Sequence, residues 1–238
     1  MNRAILLSGG VGTRIQSEAP KQYIRIKGKM MVTYSLLTLS KSPLIDSIHI
    51  VAEEQWWKQI IEDAGKSGVF INKIYDFSLP GINRQTSILN GMNSILKYYT
   101  DRTNTIEINE CDNLLIHDAA RPLLSKIQIE ECFNALQDHD GVMPVLPMKD
   151  TVYFSGDGNK VTKLLDRRKI FAGQAPEVFN MKKYYQSSVK LTQQELLAIN
   201  GSTEPAIMAG MDIILIKGDE NNFKVTTNED LERMRTMI

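Results

Sequence analysis

The sequence predicts an α/β fold, in which a mostly parallel, Rossmann-like sheet is flanked by helices and carries a small protruding β-arm. Short apolar runs alternate with helical stretches over the first 145 residues, and this alternation indicates parallel strands joined by crossover helices. Between residues 148 and 173 the alternation stops, and two short apolar segments flank a turn rich in Gly and Asp, which predicts a hairpin. We therefore expect residues 1–238 to form a single domain, with 148–173 as its arm.

The elements follow from the apolar pattern in order along the chain. Strands are predicted at residues 4–8, 45–52, 70–75, 113–117, 141–145 and 212–217. Helices are predicted at residues 30–39, 54–64, 84–99, 127–137, 184–199 and 226–238. The polar stretch 100–111 is interpreted as a surface insertion. The arm's strands, 149–154 and 161–165, are too few to be stable alone, so they either fold onto the body or reach a second subunit.

Composition argues against several classes of partner. The chain of 238 residues has 28 basic and 28 acidic side chains, so its formal net charge is zero, which disfavours nucleic acid or an anionic membrane as a partner. No apolar run reaches the length of a membrane span, and the N-terminal segment lacks the pattern of a signal peptide. The three histidines form no metal-binding motif. Cys111 and Cys132 form no metal or redox motif either, which indicates reduced thiols and a cytoplasmic protein.

A glycine loop leaves the first strand and supplies the first candidate site. Gly9, Gly10 and Gly12 allow close approach of a ligand to the backbone, and their N–H groups can face an anion. Arg14 and Lys21 add two cations within the next few residues. Backbone amides together with two cations suit a triphosphate, because Arg can bind phosphate oxygens in a bidentate manner.

Other glycine loops fit this stretch less well. The dinucleotide fingerprint needs a third glycine where Ile15 stands, and the P-loop needs a terminal Gly-Lys-Ser/Thr that is missing. What remains is Gly-Gly-x-Gly-Thr-Arg followed by Pro-Lys-Gln, which resembles the loop of nucleotidyltransferases that load a sugar or polyol phosphate onto a nucleotide. A Rossmann oxidoreductase stays open as an alternative, as does a non-catalytic protein that keeps this fold.

A second motif, His-Asp-Ala-Ala-Arg-Pro, follows the predicted central strand. Asp118 lies just past the strand end, where a carboxylate can hold Mg²⁺ on phosphates, and Arg121 can bind a further phosphate. His117 is interpreted as an inward-facing, hydrogen-bonded side chain rather than a catalyst.

With these motifs the whole chain resembles the 2-C-methyl-D-erythritol 4-phosphate cytidylyltransferase family and its relatives, the ribitol-5-phosphate cytidylyltransferases. Further matching segments are Gly81…Arg84-Gln85-Thr86-Ser87, Lys149-Asp150-Thr151, Asp166-Arg167 and Asn222-Phe223-Lys224-Val225-Thr226. The resemblance implies a fold of the nucleotidyltransferase type. It also implies a homodimer, in which the arm completes the partner's site.

The resemblance also implies roles for individual residues. Nucleotide-binding positions would be Ser8, Gly9, Gly10, Gly12, Gly81, Arg84 and Ser87. The charge that develops at the α-phosphate of CTP would be stabilised by Arg14, Lys21 and Lys224, and Asp118 would hold Mg²⁺. The acceptor would be bound by Arg121, Thr151 and Arg167. For Lys224, on a predicted strand between apolar neighbours, the alternative is a packed stem with an exposed ammonium.

The residue inventory favours direct transfer. No Ser-His-Asp set and no nucleophilic cysteine context is recognisable, so a covalent intermediate is not implied. A phosphate oxygen of the acceptor would attack the α-phosphorus of CTP, and pyrophosphate would leave. Positioning and neutralisation of charge would be the protein's tasks.

The identity of the polyol phosphate stays open at this point. Methylerythritol enzymes usually carry Thr-Pro-Gln after the arm and Thr-Asp-Glu before a late helix, where this chain has Ala175-Pro176-Glu177 and Ser202-Thr203-Glu204. Conversely, Ala119-Ala120 is typical of the methylerythritol branch, whereas Gly173-Gln174 and the Asn222-Phe223-Lys224 context favour the ribitol branch. The loss of a threonine at Ala175 predicts weaker acceptance of methylerythritol phosphate. Another polyol phosphate, for a surface polysaccharide, is the alternative acceptor.

Overall fold

The computed structural model describes residues 1–10, 19–103 and 108–238. Its strands are β1 (Asn2–Leu7), β2 (Arg25–Ile26), β3 (Lys29–Met30), β4 (Ser47–Val51), β5 (Ile74–Ser78), β6 (Asn113–Asp118), β7 (Gly141–Pro147), β8 (Val152–Phe154), β9 (Lys163–Leu165), β10 (Phe171–Gly173), β11 (Glu177–Asn180) and β12 (Ile213–Lys217). Its helices are α1 (Met31–Lys41), α2 (Glu54–Lys66), α3 (Arg84–Thr103), α4 (Lys126–Ala135), α5 (Met181–Val189), α6 (Gln193–Ala198), α7 (Glu204–Met208) and α8 (Asn228–Met237).

Eight of the described strands form one mixed sheet, in the order β10-β7-β11-β6-β1-β4-β5, with β12 paired to β7. The run β6-β1-β4-β5 is parallel, as is the β12–β7 pair. Strand β11 enters antiparallel between β6 and β7. This confirms the predicted mostly parallel α/β fold. Because Leu7 of β1 pairs with Asp118 of β6, both strands deliver their following residues to the same sheet edge.

Side chains from alternating positions on β1 enter two different apolar clusters. Leu6 packs with α1, α2 and α4 residues on one face, whereas Ile5 packs with residues of α3 and α5 on the other. The sheet is therefore covered on both faces, as a parallel sheet requires. Its carboxyl edge is left for loops, and these loops build the candidate site.

Several predicted boundaries are wrong. The third strand is Ile74–Ser78 rather than 70–75, because Ile71–Lys73 forms a 3₁₀ turn. The helix predicted at 184–199 is two helices, since Thr192 makes a capping box with Glu195 and starts a new one. The predicted insertion at 100–111 begins inside α3, which continues to Thr103, while residues 104–107 lie outside the described part of the chain.

Three further elements near the C-terminal half escaped prediction. Strands β10 and β11 are only three and four residues long and carry no readable alternation of apolar and polar residues. Helix α7 has only five residues, Glu204–Met208, and the second of them is Pro205. The segment around Lys224 has no secondary structure, so its assignment to a strand is wrong.

Residues 152–165 of the arm form a two-stranded antiparallel hairpin separate from the main sheet, whereas its last three residues, Phe171–Gly173, join that sheet as β10 beside β7. Val152 of β8 pairs with Leu165 of β9, which confirms the predicted hairpin. Its surface is unusually apolar, with exposed side chains at Tyr153, Phe154, Val161 and Leu164. Within the described residues, no helix is both long and apolar enough to cross a membrane.

Candidate active site

A cleft of about 410 Å³ opens at the carboxyl edge of β1 and β6, and its volume falls in the range of small-molecule sites. Its walls come from the loop after β1, the segment before α3, the end of β6 and the segment before α8. The lining residues are Leu7, Ser8, Gly9, Gly10, Lys21, Gln22, Gly81, Ile82, Asn83, Arg84, Ser87, Asp118, Ala120, Lys224 and Thr226.

The buried side chains of Gln22 and Tyr23 fix the start of the glycine loop. The Gln22 amide donates to the carbonyl oxygens of Ser8 at 2.7 Å and Gly10 at 2.8 Å. The Tyr23 hydroxyl donates to the Ser8 carbonyl at 2.7 Å, and its ring stacks on Trp56. These hydrogen bonds hold the backbone of Ser8 and Gly10, which is the described start of the loop, without any ligand.

Two glycines allow the loops of the cleft to pack closely. A Cβ at Gly9 would collide with Pro80, and a Cβ at Gly81 would collide with the backbone and side chain of Thr86. The Gly81 N–H donates to the hydroxyl of Ser87 at 2.9 Å, and that hydroxyl donates to the Asn83 carbonyl at 2.8 Å. Gly81 and Ser87 are thus joined at the start of α3, and both line the cleft.

Two lysines reach the cleft from different parts of the chain. Lys21 donates from Nζ to the Val225 carbonyl at 2.8 Å, and Lys224 places Nζ 3.0 Å from Oδ2 of Asp118. These contacts tie Lys21, which follows the glycine loop, and Asp118, at the end of β6, to the segment before α8. The two ammonium groups lie beside the glycine loop, where an anionic ligand would be held.

Asp118 is a buried carboxylate with a cation on each oxygen. Arg84 contacts Oδ1 through Nη1, and Lys224 contacts Oδ2. Burial by itself would raise the pKa of Asp118, but the positive charges of Arg84 and Lys224 outweigh it and hold that pKa far below the usual range. Asp118 is therefore ionised throughout the physiological pH range.

Arg84, the first residue of α3, bridges two acidic side chains. Besides Asp118 it contacts Glu177, with Nη2 lying 3.2 Å from Oε2, and it donates from Nε to the Ser202 hydroxyl at 3.3 Å. Burial opposes the charge of Arg84, but the two carboxylates prevail and raise its pKa. Arg84 lines the cleft while its guanidinium is held by the protein itself.

Arg121 and His117 are neighbours of Asp118 in the sequence, but neither lines the cleft. Arg121 donates from Nη1 to the Asn222 carbonyl at 2.8 Å, and it is absent from the cleft's lining residues. His117 is fully buried, and its Nε2 lies 2.9 Å from the carbonyl oxygen of Arg121. Burial lowers the pKa of His117 to about 4, so the imidazole is neutral. The interpretation of His117 as an inward-facing, hydrogen-bonded side chain is confirmed.

The two remaining acceptor candidates lie on the arm. Thr151 and Arg167 are exposed, and neither lines the cleft. Arg167 donates from Nη1 to the Lys149 carbonyl at 2.6 Å, which fixes the guanidinium at the base of the hairpin. The chain by itself therefore does not bring these two residues to Lys21 and Asp118.

Most of the predicted site thus converges on one cleft. Ser8, Gly9, Gly10, Lys21, Gly81, Arg84, Ser87, Asp118 and Lys224 line it together. The predictions for Gly12 and Arg14 fall on residues 11–18, outside the described residues. Sequence reasoning missed Gln22 and Glu177, which act through buried hydrogen bonds. A polar side chain next to the Pro-Lys pair was the only available signal for Gln22.

Comparison with known proteins points to one family. The family model for 2-C-methyl-D-erythritol 4-phosphate cytidylyltransferase matches residues 3–238. The enzymes of that name from Thermotoga neapolitana and Clostridium acetobutylicum are 31% and 29% identical to this chain; the matches cover 99% and 100% of it and 96% and 97% of the relatives. The crystal structure of the Francisella tularensis enzyme superposes with a TM-score of 0.79 at 22% identity, covering 100% of this chain and 99% of that one. This last similarity concerns the fold.

Proposed function

Because this chain belongs to the 2-C-methyl-D-erythritol 4-phosphate cytidylyltransferase family, we propose that its cleft transfers the cytidylyl group of CTP to 2-C-methyl-D-erythritol 4-phosphate. The chain is an enzyme of the nucleotidyltransferase class, and its family serves the synthesis of isoprenoid precursors. The observation that carries the assignment of the site is the pair of lysines, Lys21 and Lys224, beside a glycine-lined backbone. Since CTP is an intracellular metabolite, we expect the enzyme to work in the cytoplasm.

The nucleotide is proposed to lie along the loop that follows β1. Ser8, Gly9 and Gly10 offer backbone close to a ligand, and Gly81 and Ser87 form the facing wall. Because Gln22 and Tyr23 already hold the carbonyl oxygens of Ser8 and Gly10, little ordering of residues 8–10 should be needed when CTP binds. Arg14, together with Gly12, would join this set from the part of the loop that follows Gly10.

The proposed reaction is a direct displacement. A phosphate oxygen of the acceptor attacks the α-phosphorus of CTP and forms a new P–O bond. The bond from the α-phosphorus to the oxygen bridging it to the β-phosphate breaks, and its electron pair leaves with pyrophosphate. The acceptor's phosphate monoester is already largely dianionic at neutral pH, so no side chain has to remove a proton. Lys21, Lys224 and Arg14 would neutralise the charge that develops at the α-phosphate.

Asp118 fits a Mg²⁺ ion only together with the triphosphate. Mg²⁺ is usually bound by one or two carboxylates and by substrate phosphates, and Asp118 offers an ionised carboxylate in the cleft. Among the described residues, no group of three or more His, Cys, Asp or Glu side chains could hold a metal. Arg84 and Lys224 also balance the charge of Asp118, so the phosphates of CTP would have to attract the ion. When bound, Mg²⁺ would neutralise and orient the triphosphate.

The acceptor is proposed to bind between Arg121 and the arm of a second copy of the chain. Thr151 and Arg167 lie on the arm and away from the cleft of their own chain. The arm also presents the apolar side chains of Tyr153 and Leu164 to solvent, which is the surface expected of an interface. A homodimer in which the arms cross would cover these side chains and add two polar groups to each cleft.

Pyrophosphate release measures this function directly. The full chain is incubated with CTP, Mg²⁺ and a panel of polyol phosphates that includes methylerythritol phosphate and ribitol 5-phosphate. We expect release that needs CTP and Mg²⁺ and is fastest with methylerythritol phosphate. Faster release with ribitol 5-phosphate would show that this compound, and not methylerythritol phosphate, is the acceptor. No release with any polyol phosphate would contradict the proposal that the chain is a cytidylyltransferase. Fluorescence titration with NADH checks the oxidoreductase alternative, for which we expect no binding.

A further inference from the structure

A buried charge network joins two residues of the cleft, Arg84 and Asp118, to three residues that do not line it and have no part in the reaction described above. We propose that Glu177 is a positioning residue, which holds Arg84 in place and thereby keeps Asp118 available to the nucleotide. This inference rests on the proposed function, because it concerns the same cleft. The network is formed by Arg84, Asp118, Glu177, Ser202 and Thr203.

Sheet register brings the two carboxylates together. Glu177 of β11 pairs with Ile116 of β6, and Asp118 follows Ile116 by two residues. Paired residues on neighbouring strands point to the same face, as do residues two apart on one strand. Glu177 and Asp118 therefore both face the first residue of α3, which is Arg84.

Both oxygens of Glu177 are occupied. Oε2 faces Nη2 of Arg84 at 3.2 Å and accepts a hydrogen bond from the Ser202 hydroxyl, while Oε1 accepts one from the Thr203 hydroxyl at 3.1 Å. The Glu177, Ser202 and Thr203 side chains are all buried. A buried carboxylate with this number of partners has a fixed position, so it can fix the position of the guanidinium that it contacts.

The charges explain why Arg84 needs a second anion. Arg84 stands at the N-terminus of α3, where the helix dipole is unfavourable to a cation. Asp118 is shared, because Lys224 contacts its other oxygen. With Glu177 uncharged, Arg84 would rely on Asp118 alone, and the stronger pairing would withdraw that carboxylate from the nucleotide and its metal ion.

Residue 203 lies close enough to Glu177 to take over its charge. The hydroxyl of Thr203 donates to Oε1 of Glu177 at 3.1 Å, so the two positions are in direct contact. A carboxylate placed at 203 would therefore lie beside the same network and would keep a negative charge near Arg84 when residue 177 is neutral.

An exchange of these two residues tests the proposal. Glu177→Gln, Thr203→Asp and the double variant are compared with wild type by kcat and KM for CTP, by calorimetric CTP binding without acceptor, and by thermal unfolding. Glu204→Gln is the matched control, since Glu204 follows Thr203 directly but accepts from the Asn200 N–H outside the network. We expect Glu177→Gln to lose about ten- to a hundredfold in kcat/KM. The control should stay within about twofold of wild type, as surface changes usually do.

The other two variants give the decisive readouts. Thr203→Asp alone puts two carboxylates in contact, so one of them should bind a proton and activity should rise as the pH is lowered from 8 to 6. The double variant should recover to within about threefold of wild type, because the two sites are strongly coupled. A Glu177→Gln variant with wild-type kinetics, or a double variant no better than the worse single one, would overturn the proposal.

A milder variant covers the case in which Glu177→Gln does not fold. Thr203→Val keeps the charge of Glu177 and removes one hydrogen bond, and it should weaken CTP binding a few-fold without unfolding the chain. Unchanged CTP binding by this variant would also count against the proposal. CTP binding is measured without acceptor, so a wrong acceptor would leave this comparison intact, whereas a wild-type chain that binds no CTP would refute the proposed function instead.

Discussion

The cleft and the arm of this chain are built in opposite ways. In the cleft, Asp118 is buried and contacted by two cations, and Gln22 holds two carbonyl oxygens of the glycine loop. On the arm, Thr151 and Arg167 are exposed, and the hairpin presents apolar side chains such as Phe154 to solvent. The cleft residues are therefore positioned by contacts within one chain. Thr151 and Arg167, in contrast, do not line the cleft of their own chain.

This difference separates nucleotide binding, for which one copy of the chain should suffice, from transfer, for which two copies should be needed. The internal contacts of the cleft suit a nucleotide site that is formed before its ligand binds. An exposed apolar hairpin suits a surface that becomes covered on assembly. We therefore expect one chain to suffice for CTP binding and the arm of a second chain to be needed for transfer.

The largest expected effect comes from removing a cation in the cleft. Lys21→Ala should lower the rate of pyrophosphate release by about 10²–10³, since this is the usual cost of losing a group that stabilises developing charge. Lys58→Ala, which removes an exposed lysine on α2, is the control and should leave the rate unchanged. A folded Lys21→Ala variant with wild-type turnover would show that the phosphates do not bind beside this lysine.

An apolar-to-charged change on the arm should separate transfer from nucleotide binding. Phe154→Asp should dissociate the dimer and abolish transfer, because an aspartate would be buried at the interface, yet CTP binding should stay near its wild-type value. Sedimentation and calorimetry measure the two effects. Phe70→Asp is the matched control, since Phe70 and Phe154 are 52% and 53% exposed and only Phe154 lies on the arm. Dissociation by both variants, or by neither, would remove the basis for an interface at the arm.

Lowering the pH should lower the free energy of unfolding, because two buried histidines are neutral in the folded chain. Burial lowers the pKa of both His49 and His117 to about 4, whereas in the unfolded chain a histidine titrates near 6.5. Between these pH values the unfolded state binds more protons, so the free energy of unfolding should fall as the pH decreases from 6.5 to 4. Each histidine contributes a slope of about 1.4 kcal/mol per pH unit.

Denaturant unfolding at several pH values measures that slope. Replacement of His117 by Gln should remove about one histidine's share of the slope, and the arm should contribute no histidine share because residues 148–173 include no histidine. A slope that is unchanged in His117→Gln would contradict the burial of a neutral imidazole at this position.

The smallest expected effect concerns the acceptor. Ala175 is buried, and its carbonyl oxygen accepts a hydrogen bond from Asn222 at 2.7 Å. Ala175→Thr introduces a hydroxyl at this position, and because one hydrogen bond is worth about 0.5–1.5 kcal/mol, kcat/KM for methylerythritol phosphate should rise by about tenfold at most. A strong preference for this acceptor that Ala175→Thr leaves unchanged would show that the missing hydroxyl has no part in selecting it.

The sequence allowed the fold class and part of the cleft to be predicted for a physical reason. Residues that follow parallel strands meet at one edge of the sheet, so the glycine loop and Asp118, which each follow a strand, were expected at that edge. The resemblance to a family supplied Ser8, Gly81, Ser87 and Lys224. The short strand β11 could not be predicted, because four residues carry too little pattern. Glu177 was missed with it, since its role depends on the register of that strand.

Hydrogen bonds between residues far apart in the chain could not be predicted from the sequence either. Gln22 contacts the carbonyl of Gly10, and Arg84 contacts Glu177 across 93 positions of the chain, and neither contact leaves a periodic signal in the sequence. The hairpin itself was predicted, but whether it serves its own cleft or another chain's depends on a second copy of the protein.

Subunit mixing tests the central claim most directly. Lys21→Ala and Arg167→Ala chains are each inactive by this account, one through its cleft and the other through its arm. When equal amounts exchange subunits, half of the dimers are mixed, and each mixed dimer has one cleft and one arm that are both intact. Pyrophosphate release should therefore recover to about a quarter of the wild-type rate. No recovery, under conditions in which labelled chains are seen to exchange, would show that each arm serves its own chain.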